Sequence, residues 1–309
     1  MRVLHVTTNY PTKEFPIFGI FVKEQVESLQ QLDIQNDVFY CDGQNKGFKK
    51  YITYVPRLWW KILTTRYDII HCHHALSAII LCLTGWPILK KCILSYQNDP
   101  EHEWGHKIFM VFNVIFKKFI VKNNSKYLRY PKVIYLPNGC NEEFFKPMDM
   151  DNCRKELGLD ESNIYIMYMD SNKGIRTQKR KDRYDQTLEI LRNQYGYKNI
   201  ESIELRNTRR ELIPLYMNAC NLHLLSSDFE GSPNSVKECM CFNTPVVSTD
   251  VGNVKEMIGD ITGSYVSEVF TAEELAKLTD KVLSSNEKFD GRQKFLDKGY
   301  GMSNVAAKL

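Results

Sequence analysis

The chain has 309 residues, more than one ordinary domain needs, so two domains of about 150 residues each are expected. Its apolar share of 43% is ample for two cores, while a net charge of only +4 and the lack of any recognition module argue against nucleic-acid binding. Nine cysteines without a Cys-x-x-Cys pair suit a reducing cytoplasm, and no low-complexity tract or internal repeat is visible.

Residues 3–7 are apolar and β-branched, which reads as a buried parallel strand. The start lacks the long apolar core of a signal peptide. Residues 18–29 carry helical spacing through Phe21, Val22, Val26 and Leu29. Residues 37–40 and 68–73 read as strands, followed by a helix from about Leu76. The most apolar stretch, 76–89, is too short to span a bilayer and contains Gly85 and Pro87. Residues 91–96 form another strand, and 133–137 close the first half. The second half restarts with a strand over 164–169. A helix over 184–193, a strand over 203–205, a helix over 211–219 and a strand over 222–225 follow. Repeated βα units imply two Rossmann-like parallel-sheet domains.

Charge is uneven along this order. Residues 1–150 hold 19 Lys+Arg against 13 Asp+Glu, and the remainder 22 against 24. No acidic residue occurs over 105–141, where Lys107, Lys117, Lys118, Lys122, Lys126, Arg129 and Lys132 interleave with Ile108, Phe109, Val111, Phe112, Val114, Ile115, Phe116 and Phe119. This segment has helical character. It suits either an anionic membrane surface or a core helix with a solvated basic face.

The densest chemical signal is Ser226-Ser-Asp-Phe-Glu-Gly-Ser-Pro-Asn-Ser235, leading into a short helix over 236–242. Ser232 suits the N-cap of that helix and Pro233 its first position. Free N–H groups at such an end, with the helix dipole, make an anion site. Glu230 precedes the helix and Glu238 lies inside it, eight positions on. A phosphate site between two carboxylates suits a ligand that is part diphosphate and part polyol, such as a nucleotide sugar.

The segment resembles the donor-site signature of glycosyltransferase family 4 (glycosyl transferases group 1), retaining enzymes of the GT-B fold, with its Glu-x7-Glu pattern. The match continues through Thr244-Pro-Val-Val-Ser-Thr-Asp-Val-Gly252. The resemblance implies a GT-B chain, two Rossmann-like domains facing a central cleft. It implies that Glu238 holds the ribose hydroxyls, that Glu230 faces the transferred sugar, and that the backbone of Gly231, Ser232, Pro233, Asn234 and Ser235 faces the diphosphate. Leu136-Pro-Asn-Gly-Cys-Asn-Glu-Glu-Phe-Phe-Lys-Pro147 resembles the family's interdomain crossing, which sets domains at 1–140 and 141–309. The end, from Tyr300, resembles the start of the last helix, which in the family runs on and crosses back to the first domain; here it is short.

The first domain resembles the family more loosely. Gly19, in Pro16-Ile-Phe-Gly-Ile-Phe-Val-Lys-Glu-Gln25, would allow close approach of backbone to a phosphate or sugar. Asp68-Ile-Ile-His-Cys-His-His74 also matches, which puts His73 on the acceptor side. Only His71 and His73 point to one strand face, and without a further partner pair no metal site is expected. Where many relatives carry a histidine, Gln97 stands in Ser95-Tyr-Gln-Asn-Asp99; Gln97 and Asp99 join the acceptor side, and Gln97 cannot act as a base near neutral pH. Glu101, His102 and Glu103 lie just beyond. Relatives place an Arg and a Lys after residue 169 to neutralise the leaving diphosphate. In Lys173-Gly-Ile-Arg-Thr-Gln-Lys-Arg-Lys-Asp-Arg183 the preferred pair is Arg176 and Lys181, with Lys179 and Arg183 as substitutes.

The resemblance therefore implies a retaining, metal-independent glycosyltransferase without a cofactor. Its donor would be a UDP- or GDP-linked sugar and its acceptor a glycan or lipid-linked glycan of surface-polysaccharide assembly. It would be cytoplasmic, with peripheral contact at the inner face of an anionic membrane. Two other readings stay open: a degenerate GT-B protein that binds a sugar nucleotide or a partner enzyme without turnover, and a GT-B epimerase that needs no acceptor.

Overall fold

A computed structural model of the chain describes residues 1–42, 49–85, 88–170 and 176–309. It separates into two compact units, one of Met1–Glu14, Phe18–Gly139 and Ser303–Leu309, the other of Phe15–Ile17 and Cys140–Met302.

The first unit runs β1 (Arg2–Thr7), α1 (Ile20–Gln30), β2 (Gln35–Tyr40), α2 (Lys49–Ile52), α3 (Val55–Thr64), β3 (Ile69–His73), α4 (Ala75–Cys82), β4 (Cys92–Ser95), α5 (Gly105–Ile115), β5 (Lys118–Val121) and β6 (Val133–Tyr135). Its six strands lie in the order β2-β1-β3-β4-β5-β6, and every pairing is parallel. The second unit runs α6 (Met150–Leu157), β7 (Ile164–Asp170), α7 (Lys181–Asn193), β8 (Ile200–Arg206), α8 (Ile213–Ala219), β9 (Leu222–Leu225), α9 (Asn234–Phe242), β10 (Val246–Thr249), α10 (Val254–Ile258), β11 (Tyr265–Ser267), α11 (Ala272–Ser284) and α12 (Gly291–Asp297), and α13 (Met302–Lys308) ends the chain. Its five strands lie in the order β11-β10-β9-β7-β8, again all parallel.

Both sheets reverse direction in the same way. The chain first steps from β1 to β2 on one side, then returns past β1 to β3; β7, β8 and β9 repeat this move. Such a reversal opens a crevice at the carboxyl ends of the two central strands, where ligands of open α/β sheets bind. The residues that follow β7 and β9, and those that follow β1 and β3, are therefore the first places to look for chemistry.

Two expectations need correction. The basic, aromatic segment over 105–141 is not one helix: α5 ends at Ile115, and Lys118–Val121 form strand β5, buried from Phe119 onward. A short apolar run after a helix has no period of its own, so helix and strand could not be told apart there. Its aromatic residues Phe109, Phe112, Phe116 and Phe119 are core, with the Phe109 ring 4.4 Å from Tyr127 and 5.0 Å from Tyr130. In addition, residues 303–309 sit in the first unit, not in a domain over 141–309, because Val305 packs with Ile120 and Leu136.

Phe109 is fully buried among five aromatic rings, His106 included. Phe109→Ala should cost the first unit about 3–5 kcal/mol, seen as an earlier transition in urea unfolding followed by circular dichroism.

Candidate active site

In the second unit the reversal lies between β7 and β9. The segment that follows β9 is stitched to the turn that precedes α7. Ser226 Oγ donates to the Lys179 carbonyl at 2.9 Å, and the Asp228 amide donates to the Gln178 carbonyl at 2.8 Å. Arg183 Nη1 donates to the Ser226 carbonyl and Nη2 to Asp228 Oδ1, each at 2.7 Å. Thr249 Oγ1 donates to the Ser227 carbonyl at 2.6 Å from the neighbouring strand β10.

This stitching sets the Lys179 ammonium 2.5 Å from Glu230 Oε1, and Ser227 Oγ donates to the same oxygen at 2.9 Å. The Glu230 side chain is only 12% exposed. Burial pushes its carboxyl up, but the Lys179 charge and hydrogen bond, the Arg176 charge and the Ser227 hydroxyl together hold it below the usual carboxylate range. Glu230 is therefore an anion at neutral pH, and the two basic residues that act on it are Lys179 and Arg176.

Lys181 is placed elsewhere. Its ammonium pairs with Asp185 and, at 2.8 Å, with Glu204, and lies over the rings of Tyr168 and Tyr184. Lys179, a substitute in the sequence reading, takes the position at Glu230. The cause is local: Thr177–Lys179 form a 3-10 turn and Arg180 adopts the left-handed conformation at φ 49°. Linear spacing carries no trace of that turn. Arg183 serves as a strut between Ser226 and Asp228. Lys173, Gly174 and Ile175 lie outside the described residues.

Helix α9 starts one residue later than its capping residues suggest. Pro233 is the N-cap and Asn234 the first helical residue, so Ser232 stands outside the helix and makes no cap bond. Its hydroxyl instead accepts from the Lys237 ammonium at 3.0 Å. Ser235 is pinned from below. His223 Nδ1 lies 3.1 Å from the Met167 carbonyl, which can only accept; Nδ1 therefore carries the proton and Nε2 accepts from Ser235 Oγ at 3.0 Å. Burial lowers the His223 pKa to about 4, which keeps the ring neutral. Asn234 Oδ1 is buried with no hydrogen-bond partner among the described residues. Gly231 passes close to Gly252, whose φ is +59° and where a Cβ would sit 2.2 Å from the Gly231 carbonyl oxygen. The glycine of Thr-Asp-Val-Gly252 is thus required by contact with the loop that bears Glu230.

Glu238 lies inside α9, as expected, nearly out of solvent. Arg210 Nη1 donates to its Oε1 at 2.9 Å, and the Arg210 guanidinium stacks 4.5 Å from the Phe145 ring centre. Arg210 and Phe145 were not singled out from the sequence. An Arg beside Phe-Phe145 has meaning only once the 3-10 turn before α8 brings it there.

In the first unit the ends of β1 and β3 hold a second cluster. Gly19, at φ +67°, presses on the turn after β1: a Cβ would lie 2.4 Å from the Asn9 carbonyl. Its close approach is thus to backbone of its own unit. Asn9 Nδ2 bonds His74 Nε2 at 2.8 Å. Glu103 organises the rest, accepting from the amides of Gln97 at 2.6 Å, Asn98 at 2.8 Å and Ala75 at 3.0 Å. Gln97 Oε1 accepts from Asn138 at 3.0 Å, while Asp99 caps the Glu101 amide at 2.9 Å. Gln97 is therefore a held side chain, and Asp99 is a turn-former.

His73 does not belong to this cluster. It is fully buried beneath it, with His5 and His71. His5 Nδ1 and His73 Nε2 share a hydrogen bond at 3.1 Å, His5 Nε2 meets Asn36 Oδ1 at 2.9 Å, and His71 Nε2 meets Ser95 Oγ at 2.7 Å. His5 supplies the third imidazole that the sequence did not reveal, and nitrogens of all three lie within 4.8 Å of one another. They could ligate a metal by geometry alone. Burial first, then neighbouring charges including Lys122, hold His71 and His73 well below the usual histidine pKa. The rings are neutral and share their surroundings with an ammonium that opposes a cation, while His73 Nδ1 is buried with no hydrogen-bond partner among the described residues.

Residues 183–300 match the family model described as glycosyl transferases group 1. The match lies within the second unit. The match takes in Glu230, Glu238 and Gly252 but stops short of Arg176 and Lys179. Among solved structures, sucrose-phosphate synthase from Thermosynechococcus elongatus is similar at TM-score 0.73 and 15% identity, over 99% of this chain and 96% of that one. Anabaena Alr3699/HepE in complex with UDP-glucose is similar at 0.73 and 14%, over 100% and 98%. The lipopolysaccharide outer core galactosyltransferase WaaB is similar at 0.66 and 10%, over 100% and 98%. These likenesses identify the two parallel-sheet units as a GT-B fold. Comparison with curated proteins returns no match.

Lys237 is fully buried, and burial lowers its pKa to about 8. Unfolded, it keeps its proton up to its ordinary value of 10.5. Between these values the unfolded chain binds more protons, so the contribution of this group to stability rises with pH. The unfolding free energy of the wild type relative to Lys237→Met should therefore grow by about 3 kcal/mol as pH rises through that window. Paired urea titrations would check it, and a flat difference would contradict the buried, protonated amine.

Proposed function

We propose that the chain is a retaining, metal-independent glycosyltransferase that moves a sugar from a UDP- or GDP-linked donor to a glycan or lipid-linked glycan acceptor in surface-polysaccharide assembly. It would act on the cytoplasmic side, in peripheral contact with an anionic membrane. The observation that carries this reading is the ionised Glu230, held by Lys179 and Arg176 directly before the N-terminus of α9. Support also comes from Anabaena Alr3699/HepE, a protein of the same fold solved with UDP and with UDP-glucose.

In this reading the backbone of Gly231, Ser232, Pro233, Asn234 and Ser235 and the α9 dipole receive the diphosphate. Lys179 and Arg176 neutralise it as it leaves. Glu238, oriented by Arg210, takes the ribose hydroxyls. Glu230 faces the sugar, where positive charge develops as the C1–oxygen bond breaks. The acceptor oxygen bonds to C1 on the face the diphosphate leaves, and the acceptor proton passes to the departing diphosphate. This front-face course needs no side-chain base, so Gln97 can serve as a hydrogen-bonding group to acceptor hydroxyls.

The test combines binding and turnover. One of the UDP or GDP sugars should raise the melting temperature by mass action, and Glu238→Ala should abolish that shift. Glu230→Ala and Lys179→Met should lower turnover by roughly a hundredfold or more while Glu230→Ala still binds nucleotide. A shift without turnover on any acceptor would favour the binding-only protein. Conversion of the donor without an acceptor would favour the epimerase.

A further inference from the structure

We infer that Lys237 is a positioning residue of the proposed donor site: from beneath the loop that leads into α9, its ammonium fixes Ser232 as a hydrogen-bond donor to the diphosphate of a nucleotide sugar. Lys237 lies one turn into α9. Helical side chains lean toward the start of their helix, and its amine reaches back to Ser232 Oγ at 3.0 Å. Lys237 is wholly out of solvent, and Ser232 nearly so.

Proton counting gives the direction of the bond. An ammonium only donates, so Ser232 Oγ must accept from it and turn its own O–H elsewhere. Among the described residues no acceptor takes that proton. Ser235 is polarised the other way, because its hydroxyl proton is already given to His223 Nε2. Of the two serines at the start of α9, Ser232 is the one that keeps a proton to offer an anion.

The cost of the buried amine points the same way. Burial outweighs the stabilising effect of Cys140, Glu238 and Cys241, the titratable groups that act on Lys237, and brings its pKa down to about 8. Beyond these stand Arg210, paired with Glu238, and Arg292 of α12, bound to the Cys241 carbonyl. A methionine would fill the same space without burying a charge. A diphosphate seated over the loop would offset part of the cost, since its negative charge favours the ammonium. Loss of the proton would reverse the bond: a neutral amine accepts from Ser232, whose O–H then turns inward, away from the ligand. Donor affinity is thereby tied to the charge on Lys237.

The inference deepens the proposed function and rests on its placement of the diphosphate. The experiment is calorimetric titration of the full chain with UDP and with GDP, repeated on Ser232→Ala, Lys237→Met and the double variant, each checked for folding by circular dichroism. At about pH 7, Ser232→Ala and Lys237→Met should each weaken binding of the better nucleotide by about tenfold. The double variant should lose about as much as either alone, because the lysine acts through the serine. The wild-type advantage over Ser232→Ala should shrink from about tenfold to about twofold or less by about pH 9.5; that ratio cancels titration of the nucleotide itself. Unchanged affinity in either single variant, losses that multiply in the double variant, or an advantage equal at both pH values overturns the inference. Should Lys237→Met fail to fold, the pH profiles of wild type and Ser232→Ala still decide, since both keep the lysine. Wild type that binds neither nucleotide removes the proposed donor site, and this role of Lys237 with it.

Discussion

A lysine ammonium pressed against a carboxylate in a site nearly closed to water is stable only if its surroundings fix both partners. Desolvation of two charges costs several kcal/mol each, and their attraction recovers it only in good geometry with further hydrogen bonds. Around Glu230 those conditions are met by backbone. The turn that carries Lys179 is tied to the segment that carries Glu230 through Ser226, Asp228 and Arg183. Ser227 adds the extra donor. The rest of the site inherits its position from this pair: Gly231 and Ser232 follow Glu230, Gly252 packs on Gly231, and α9 begins two residues later. The arrangement holds an anion and a cation ready at the one place where the sheet opens.

The same reversal of strand order is used differently in the two units. In the second it is electrostatic, with a charged pair at its mouth. In the first it is built from hydrogen bonds: Glu103 gathers three backbone amides from two loops, and Gly19 lets the turn after β1 lie against them. Beneath that turn the neutral imidazoles of His5, His71 and His73 fill the sheet face as hydrogen-bonded core. A diphosphate calls for fixed positive charge, whereas a glycan calls for many directional, uncharged partners. That is the division of chemistry the proposed donor and acceptor would call for.

What could be read in advance depended on how local its cause was. The places of Glu230 ahead of the helix and of Glu238 inside it were legible because one continuous segment carries the strand, the turn and the helix. The two-domain α/β architecture was legible because βα alternation needs only local periodicity. Lys179 was not separable from Lys181, because a single left-handed residue at Arg180 decides which side chain turns inward. His5 joins His71 only through the pairing of β1 with β3, across 66 positions of sequence. Glu103 stood out only as one acid among several, since its role is written in three amides whose positions the fold determines. Helix α9 shows the same limit at small scale: Ser232 has the right chemistry for a cap, yet the Lys237 amine beneath the loop claims its hydroxyl.

The positive charge of the chain thus serves in two physical regimes. Lys179, Arg183 and Arg210 are sunk into the second unit, each committed to a named acid or carbonyl. Little solvent lies between the partners, so salt screens them weakly and their geometry persists. The lysines around α3 and α5 stand in water, where an isolated charge contributes little to stability. Evolution of a fold does not require them there, since α3 would pack through Leu58 with neutral residues on its outer side. Exposed tryptophans beside exposed lysines reduce solubility without improving the core.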